Sequence, residues 1–129
     1  MSPRSAAVIA VVDDDCAVLE SMSDLLASAG YVARTFSSAR QFLDSGLLHS
    51  ISCLVSDIHM IGMNGWELQS IALQQRPDLP IILITGDDEM ERKARSFQIA
   101  GRAQLFFNKP FDGQQLLAAA KEALDANNG

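Results

Sequence analysis

Five short runs of apolar, β-prone residues divide this chain, and segments with helical periodicity separate them. The runs are Val8–Val12, 31–36, Cys53–Asp57, Ile81–Thr85 and 105–107. Strands that alternate with helices in this way form a parallel sheet with helices packed on both faces. The sequence therefore predicts an α/β fold built from five βα units. The second run is more polar than the others, which suits an edge strand.

The segments between the runs show the spacing and the end signals of amphipathic helices. In 16–29 apolar residues recur every three or four positions, and Gly30 is suited to end that helix. Either Ser37 or Ser38 is suited to cap the second helix. The other predicted helices cover 38–43, about 67–76 and 87–101, and a last one begins at Asp112.

Length and composition exclude several classes of protein. With 129 residues, 48% of them hydrophobic, we expect one domain over 1–129 with a core at about 7–125. The net charge of −6 argues against nucleic-acid binding by this chain itself, since phosphate contacts need a basic surface. A cationic or metal-bearing partner fits this negative charge better than a nucleic acid does. We expect a cytoplasmic protein without membrane contact, because every apolar stretch is too short to cross a bilayer.

The two cysteines, Cys16 and Cys53, are too few for a metal-binding knuckle and lie far apart in the sequence. Cys53 lies inside an apolar run. We therefore expect both to be reduced thiols that serve in packing, as is common in cytosolic proteins.

Acidic, hydroxyl and basic side chains lie at the ends of four of the predicted strands. They are Asp13, Asp14, Asp57, Thr85 and Lys109. Because parallel strands end at the same edge of a sheet, we expect these residues to converge. Three carboxylates in one place repel one another, and a hard cation such as Mg²⁺ relieves that repulsion.

The two remaining groups suit an anionic ligand. Lys109 offers a positive charge, and the Thr85 hydroxyl offers a hydrogen bond. A carboxylate nucleophile, Mg²⁺, a lysine and a hydroxyl together are typical of a phosphoryl-transfer site.

From Val8 to Leu124 the chain resembles the receiver domains of two-component response regulators. The motifs that carry the resemblance are VVDD at 11–14, LVSD at 54–57 with Met60, Met63 and Gly65 following, ITG at 84–86 and KPF at 109–111. Their order and spacing, more than any single motif, are specific. The sequence around Asp57 and at 80–86 is most similar to that of receivers of the nitrogen-fixation-regulator type, which precede a helix-turn-helix output domain. The resemblance implies a flavodoxin-like, doubly wound sheet of order 2-1-3-4-5.

The resemblance also implies roles for the converging residues. Asp57 accepts a phosphoryl group from a sensor histidine kinase or a small phosphodonor. Asp13 and Asp14 hold Mg²⁺ together with Asp57 and the backbone carbonyl of His59. Lys109 pairs with the phosphoryl oxygens. Apart from self-phosphorylation and autodephosphorylation, we expect no enzymatic activity.

In the family, a switch follows phosphorylation. Thr85 moves to bond the phosphate, and the rotamer of Phe106 follows, unless a register shift of one residue gives that place to Phe107. The surface of the fourth helix and fifth strand then acts on an output domain or a partner protein. A phosphorylation-dependent homodimer through that surface is also implied.

Some positions depart from the family pattern. Ile61 stands where proline is usual, and 85–101 is slightly longer than in most members. His59 and Asp87 occupy positions that tune phosphoryl lifetime in the family, although His59 is also typical of a plain solvent-facing loop residue.

Two other functions remain open at this point. Asp13 and Asp15, two residues apart, superficially match the paired acids of haloacid-dehalogenase-like phosphatases, but Ala17 replaces their usual threonine or valine. Such an enzyme also needs a cap domain. The second alternative is a receiver-like module that binds partners without phosphorylation. An intact set of acceptor, acids, threonine and lysine argues against it.

Overall fold

The computed structural model describes residues 7–58, 60, 62–85 and 104–108, and 114, 117, 118, 120–122 and 124 near the C-terminus. Position 85 and positions 104–108 are described as strand backbone. The strands are β1 (Val8–Val12), β2 (Val32–Phe36), β3 (Cys53–Asp57), β4 (Ile81–Thr85) and β5 (Gln104–Asn108). The helices are α1 (Cys16–Ser28), α2 (Ala39–Asp44) and α3 (Gly65–Gln75), with a 3₁₀ turn at Leu47–His49. The described residues between Gln114 and Leu124 are also helical.

The five strands form one parallel sheet in the order β2-β1-β3-β4-β5. This confirms the predicted α/β fold and the order 2-1-3-4-5. The polar strand β2 lies at an edge, as predicted. The inner strands are continuous apolar runs because both of their faces are covered.

Alternate residues of the strands feed two apolar clusters, one on each face of the sheet. The α1-face cluster contains Ile9, Val11, Leu19, Met22, Leu26, Cys53, Val55, Ile82, Ile84, Ala120 and Leu124. The α3-face cluster contains Ala10, Val12, Ala39, Phe42, Leu48, Ile51, Leu54, Ile58, Leu68, Ala72, Leu79, Ile81 and Leu83. The sheet is therefore doubly wound, and its core lies on both sides of β1, β3 and β4.

Side-chain caps set where the helices begin. The Asp15 carboxylate accepts a hydrogen bond from the Ala17 amide at 2.9 Å and caps α1. Ser38, not Ser37, caps α2. At α3, Asn64 and Glu67 form a reciprocal capping box, in which each side chain accepts from the other residue's amide. The cap of α2 is one of the two serines that the sequence predicted, whereas the capping box of α3 was not predicted.

The two cysteines differ in burial. Both are free thiols. Cys53 is buried in the α1-face cluster, and desolvation raises its pKa to about 12, which leaves it unreactive. Cys16 is exposed, so the expectation that it serves in packing was wrong. The reason is local, because residues 14–17, where the chain enters α1, are all exposed to solvent.

Sequence reasoning missed the 3₁₀ turn between α2 and β3. Its three residues are too few to show a period. Gly46, at a φ of 76°, turns the chain into it through the left-handed region. Within the described residues, every helix is too short or too polar to cross a lipid bilayer.

Arg76 joins the end of α3 to the segment before β3. Its guanidinium, which is partly buried, donates to the carbonyl of Leu48 at 3.1 Å and also to the carbonyl of Ile51. Ile51 and Leu48 both belong to the α3-face cluster. The charged side chain thus satisfies backbone groups just before the strand that carries Asp57.

We expect Arg76→Met to lower the free energy of unfolding by about 1–3 kcal/mol, because two carbonyls lose a charged donor while the apolar stem remains. Urea denaturation measures the change. Arg40→Met, at an exposed position of α2, is the matched control and should stay within about 0.5 kcal/mol of the wild type. Equal stability of the two variants would contradict this role for Arg76.

Candidate metal and phosphoryl-transfer site

Pairing between β1 and β3 brings two aspartates together at the carboxyl edge of the sheet. The register sets Val12 beside Ser56, so Asp13, just after β1, comes next to Asp57, the last residue of β3. Asp14 follows directly. One carboxylate oxygen from each of Asp13, Asp14 and Asp57 lies within 4.8 Å of the others. The structure therefore brings together three of the predicted site residues.

Burial distinguishes these three carboxylates. Asp13 is 1% exposed and Asp57 is 5% exposed, whereas Asp14 is open to solvent. Two buried carboxylates held this close carry a desolvation cost and a mutual repulsion, both of which a bound cation relieves. The exposed third carboxylate leaves one side of the site accessible from solution.

The backbone around Asp13 is held at both ends. Its amide donates to the carbonyl of Phe36 at 3.1 Å, which connects it to the end of β2. Its carboxylate oxygen Oδ1 accepts from the amide of Asp15 at 2.9 Å. Asp15 caps α1, so the same short loop ends a strand, presents a carboxylate oxygen and starts a helix.

The donor set fits a hard divalent cation. Mg²⁺ prefers oxygen ligands at about 2.1 Å in octahedral geometry, which separates two ligands by about 3 to 4.2 Å. The three carboxylate oxygens lie within 4.8 Å of one another, which is compatible with that range. These carboxylates therefore suit Mg²⁺, with remaining positions for water or a phosphate oxygen.

Three neighbouring groups hold the backbone that follows Asp57. The Ser56 hydroxyl donates to the Asp57 carbonyl at 3.0 Å. The Ile58 amide donates to the carbonyl of Ile84 in β4 at 2.9 Å, and the Ile58 carbonyl accepts from the Gly65 amide at 3.0 Å. The end of β3 is thus tied to β4 on one side and to the start of α3 on the other.

Gly65 lies against the same peptide. A Cβ at this position would be 2.6 Å from the Asp57 carbonyl oxygen and 2.8 Å from the Ile58 Cα. Both contacts are with backbone, which cannot move aside as a flexible side chain can. Only glycine lets the first turn of α3 approach β3 this closely.

Sequence reasoning did not identify the parts played by Ser56 and Gly65. Gly65 was visible only as a turn residue in the motif after Asp57. The sequence did carry a signal for Ser56. A hydroxyl among the apolar residues of a buried strand needs a local hydrogen-bond partner.

Thr85 ends β4 at the same edge of the sheet. The register pairs Asp57 with Ile84, so Thr85 stands one position beyond Asp57 on the neighbouring strand. On its other side Thr85 pairs with Asn108, the last residue of β5. The topology therefore puts Thr85 at the predicted edge.

Phe106 pairs with Leu83, and Phe107 pairs with Ile84. The strand register is thus set, while the switch role of Phe106 stays a prediction. His59, Ile61, Lys109 and the predicted helix 87–101 lie outside the described residues.

A family model described as the response regulator receiver domain matches residues 9–121. The chain belongs to the response regulator receiver family. It is 38% identical over 124 residues to the response regulator protein TodT of Pseudomonas putida, covering 96% of this chain and 53% of TodT. It is 34% identical over 116 residues to the transcriptional regulatory protein FixJ of Bradyrhizobium diazoefficiens, covering 90% and 56%. The receiver domain thus spans about half the length of the curated relatives it matches.

Solved structures show the same receiver fold. A CheY-like receiver domain protein from Methanospirillum hungatei JF-1 superposes with a TM-score of 0.82 at 29% identity, covering 96% of this chain and 98% of that one. A BeF3-activated DrrB receiver domain has a TM-score of 0.80 at 30% identity, covering 94% and 99%. These matches confirm the prediction that the chain is a receiver domain of the two-component response regulator family.

We expect Gly65→Ala to lower the free energy of unfolding by about 1–3 kcal/mol, because the added methyl overlaps backbone. Helix propensity alone favours alanine over glycine by up to about 1 kcal/mol, so the predicted sign is opposite to that preference. Urea denaturation measures the effect. Ser70→Ala, at an exposed position of α3, is the control and should change stability by less than about 0.5 kcal/mol. A Gly65→Ala variant as stable as the wild type would contradict the close approach.

Proposed function

We propose that this receiver domain is a phosphorylation-controlled signalling switch and that Asp57 is its phosphoacceptor. The observation that carries the proposal is the position of the Asp57 carboxylate at a strand end, within 4.8 Å of those of Asp13 and Asp14. Family membership supports it, since the chain matches the receiver domain over residues 9–121. Asp13 and Asp57 are buried, and the exposed Asp14 marks the side from which a phosphodonor can approach.

In the proposed reaction an oxygen of the Asp57 carboxylate attacks the phosphorus of a phosphohistidine on a sensor kinase. The new O–P bond forms as the P–N bond breaks. The electron pair of that bond stays on the imidazole nitrogen, which then takes up a proton. Acetyl phosphate replaces the kinase as a small donor, with acetate as the leaving group.

Asp13, Asp14 and Asp57 would hold Mg²⁺. When bound, the ion supplies charge neutralisation for the phosphoryl oxygens and for the carboxylates themselves. The chain's own residues provide the rest. Asp13 is fixed by the end of β2 and the Asp15 amide, so it presents its oxygen in one place. Lys109 is proposed to pair with the phosphoryl oxygens, and the His59 carbonyl to complete the ligand set.

The consequence of phosphorylation is proposed from the family. Thr85 and Phe106 relay the modification to the surface of the fourth helix and β5, which acts on an output region or a partner protein. FixJ is named a transcriptional regulatory protein, and the matched part is about half of it, which supports an output outside the receiver. We infer a single receiver domain over 1–129 with its core at about 7–125, a cytoplasmic location and a sensor histidine kinase as partner.

We expect one phosphoryl adduct after incubation with acetyl phosphate and Mg²⁺, detected by intact-protein mass spectrometry. Asp57→Asn should remove the adduct, because the amide is not a nucleophile, and EDTA should remove it from the wild type. Asp24→Asn, at an exposed position of α1, should leave it unchanged. An adduct that persists in Asp57→Asn would rule out Asp57 as the acceptor. Absence of any adduct in the wild type would favour a receiver that binds partners without phosphorylation.

We expect Asp13→Asn to weaken Mg²⁺ binding by at least about tenfold, because a buried anionic ligand becomes neutral. Titration of Trp66 fluorescence measures the affinity, since Trp66 is the single tryptophan and directly follows Gly65, which contacts the Asp57 peptide. Asp44→Asn, an exposed residue at the end of α2, is the control. Unchanged affinity in Asp13→Asn would exclude Asp13 as a ligand.

A further inference from the structure

Ser56 places a hydroxyl inside an otherwise apolar layer. All five residues of β3 are buried, and Ser56 is 1% exposed. Its partners in register are Val12 of β1 and Leu83 of β4, which both belong to the α3-face cluster. A hydroxyl in such surroundings is costly unless it makes a hydrogen bond.

The partner of this hydroxyl is the main chain of the proposed phosphoacceptor. Ser56 Oγ donates to the carbonyl oxygen of Asp57 at 3.0 Å. The Gly65 backbone closes on the same oxygen, at a distance that leaves no room for a Cβ. The amide on the other side of that peptide, from Ile58, is held by the carbonyl of Ile84. One peptide unit is therefore restrained at both its oxygen and its nitrogen.

We propose that Ser56 is a positioning residue for the Asp57 site. Its hydroxyl fixes the orientation of the peptide after Asp57, and through it the direction in which the Asp57 carboxylate leaves β3 toward Asp13. The inference rests on the proposed function, in which the Asp57 carboxylate binds a cation and attacks phosphorus. Both tasks require the carboxylate to be held in a defined position. Metal and phosphoryl-transfer geometries tolerate displacements of only about 0.5 Å. A rotation of the Asp57 peptide displaces the carboxylate, which is attached through a single methylene.

The site offers a matched pair of substitutions. Ser56→Thr and Ser56→Val add nearly the same volume to the layer between Val12 and Leu83, so overpacking affects both alike. They differ in one group, because only threonine keeps the hydroxyl. Ser56→Ala is a third variant that removes the hydroxyl without adding volume, and it serves if both larger side chains disturb folding.

Four measurements apply to each variant. The Mg²⁺ dissociation constant comes from Trp66 fluorescence, and the rate of phosphoryl-adduct formation comes from intact mass at saturating acetyl phosphate and Mg²⁺. The ¹³C chemical shift of the Asp57 carbonyl reports the hydrogen bond itself. Urea denaturation of the same samples separates a loss of stability from a loss of positioning.

We expect Ser56→Val and Ser56→Ala to weaken Mg²⁺ binding by about fivefold, the equivalent of one ordinary hydrogen bond. The rate of adduct formation should fall in the same two variants, and their Asp57 carbonyl resonance should move. Ser56→Thr should keep the wild-type affinity, rate and resonance, even where its stability is lower.

Equal Mg²⁺ affinity in Ser56→Thr and Ser56→Val would overturn the inference, whatever their stabilities. The hydroxyl would then be a satisfied core group without influence on the site. Absence of an adduct in the wild type would overturn the proposed phosphoacceptor function instead. In that case the Mg²⁺ titration and the carbonyl resonance still decide whether Ser56 positions Asp57.

Discussion

The parallel pairing of β1 with β3 is the contact on which the site depends. It sets Val12 beside Ser56 and therefore puts Asp13 next to Asp57 at the carboxyl edge of the sheet. A shift of this register by one residue would move every side chain of one strand to the opposite face. Burial of apolar residues on both faces opposes such a shift, because the two clusters need different sets of side chains. The same packing that stabilises the fold thus sets the spacing of the carboxylates.

Around Asp13 and Asp57, contacts from neighbouring elements restrain the backbone. The loop after β1 is held by the carbonyl of Phe36 and by the capping residue Asp15. The loop after β3 is held by β4 and by the first turn of α3, which reaches it because Gly65 has no side chain. Rigid strand ends suit a site that must present several oxygens to one cation, since binding then requires little reorganisation.

Much of the fold was predictable from local sequence. Continuous apolar runs predicted the inner strands because both faces of a parallel sheet are buried. Ser38 was visible as a candidate cap, and the more polar second run predicted an edge strand. Three features were not predicted. The 3₁₀ turn is too short to show a period. Cys16 begins α1 at an exposed position, and the hydrogen bond of Ser56 depends on its surroundings in the folded protein.

By itself, the sequence determined the kinds of elements in this protein and the residues that end them. Each depends on neighbours within a few positions, through apolar periodicity, capping side chains and glycine. Family resemblance supplied the roles that we propose for Asp13 and Asp57. Only the tertiary structure decided how close these carboxylates come, that Asp13 and Asp57 are buried while Asp14 is not, and that Gly65 touches the Asp57 peptide. These distances, exposures and contacts depend on packing between segments that are far apart in the chain, and local sequence does not determine them.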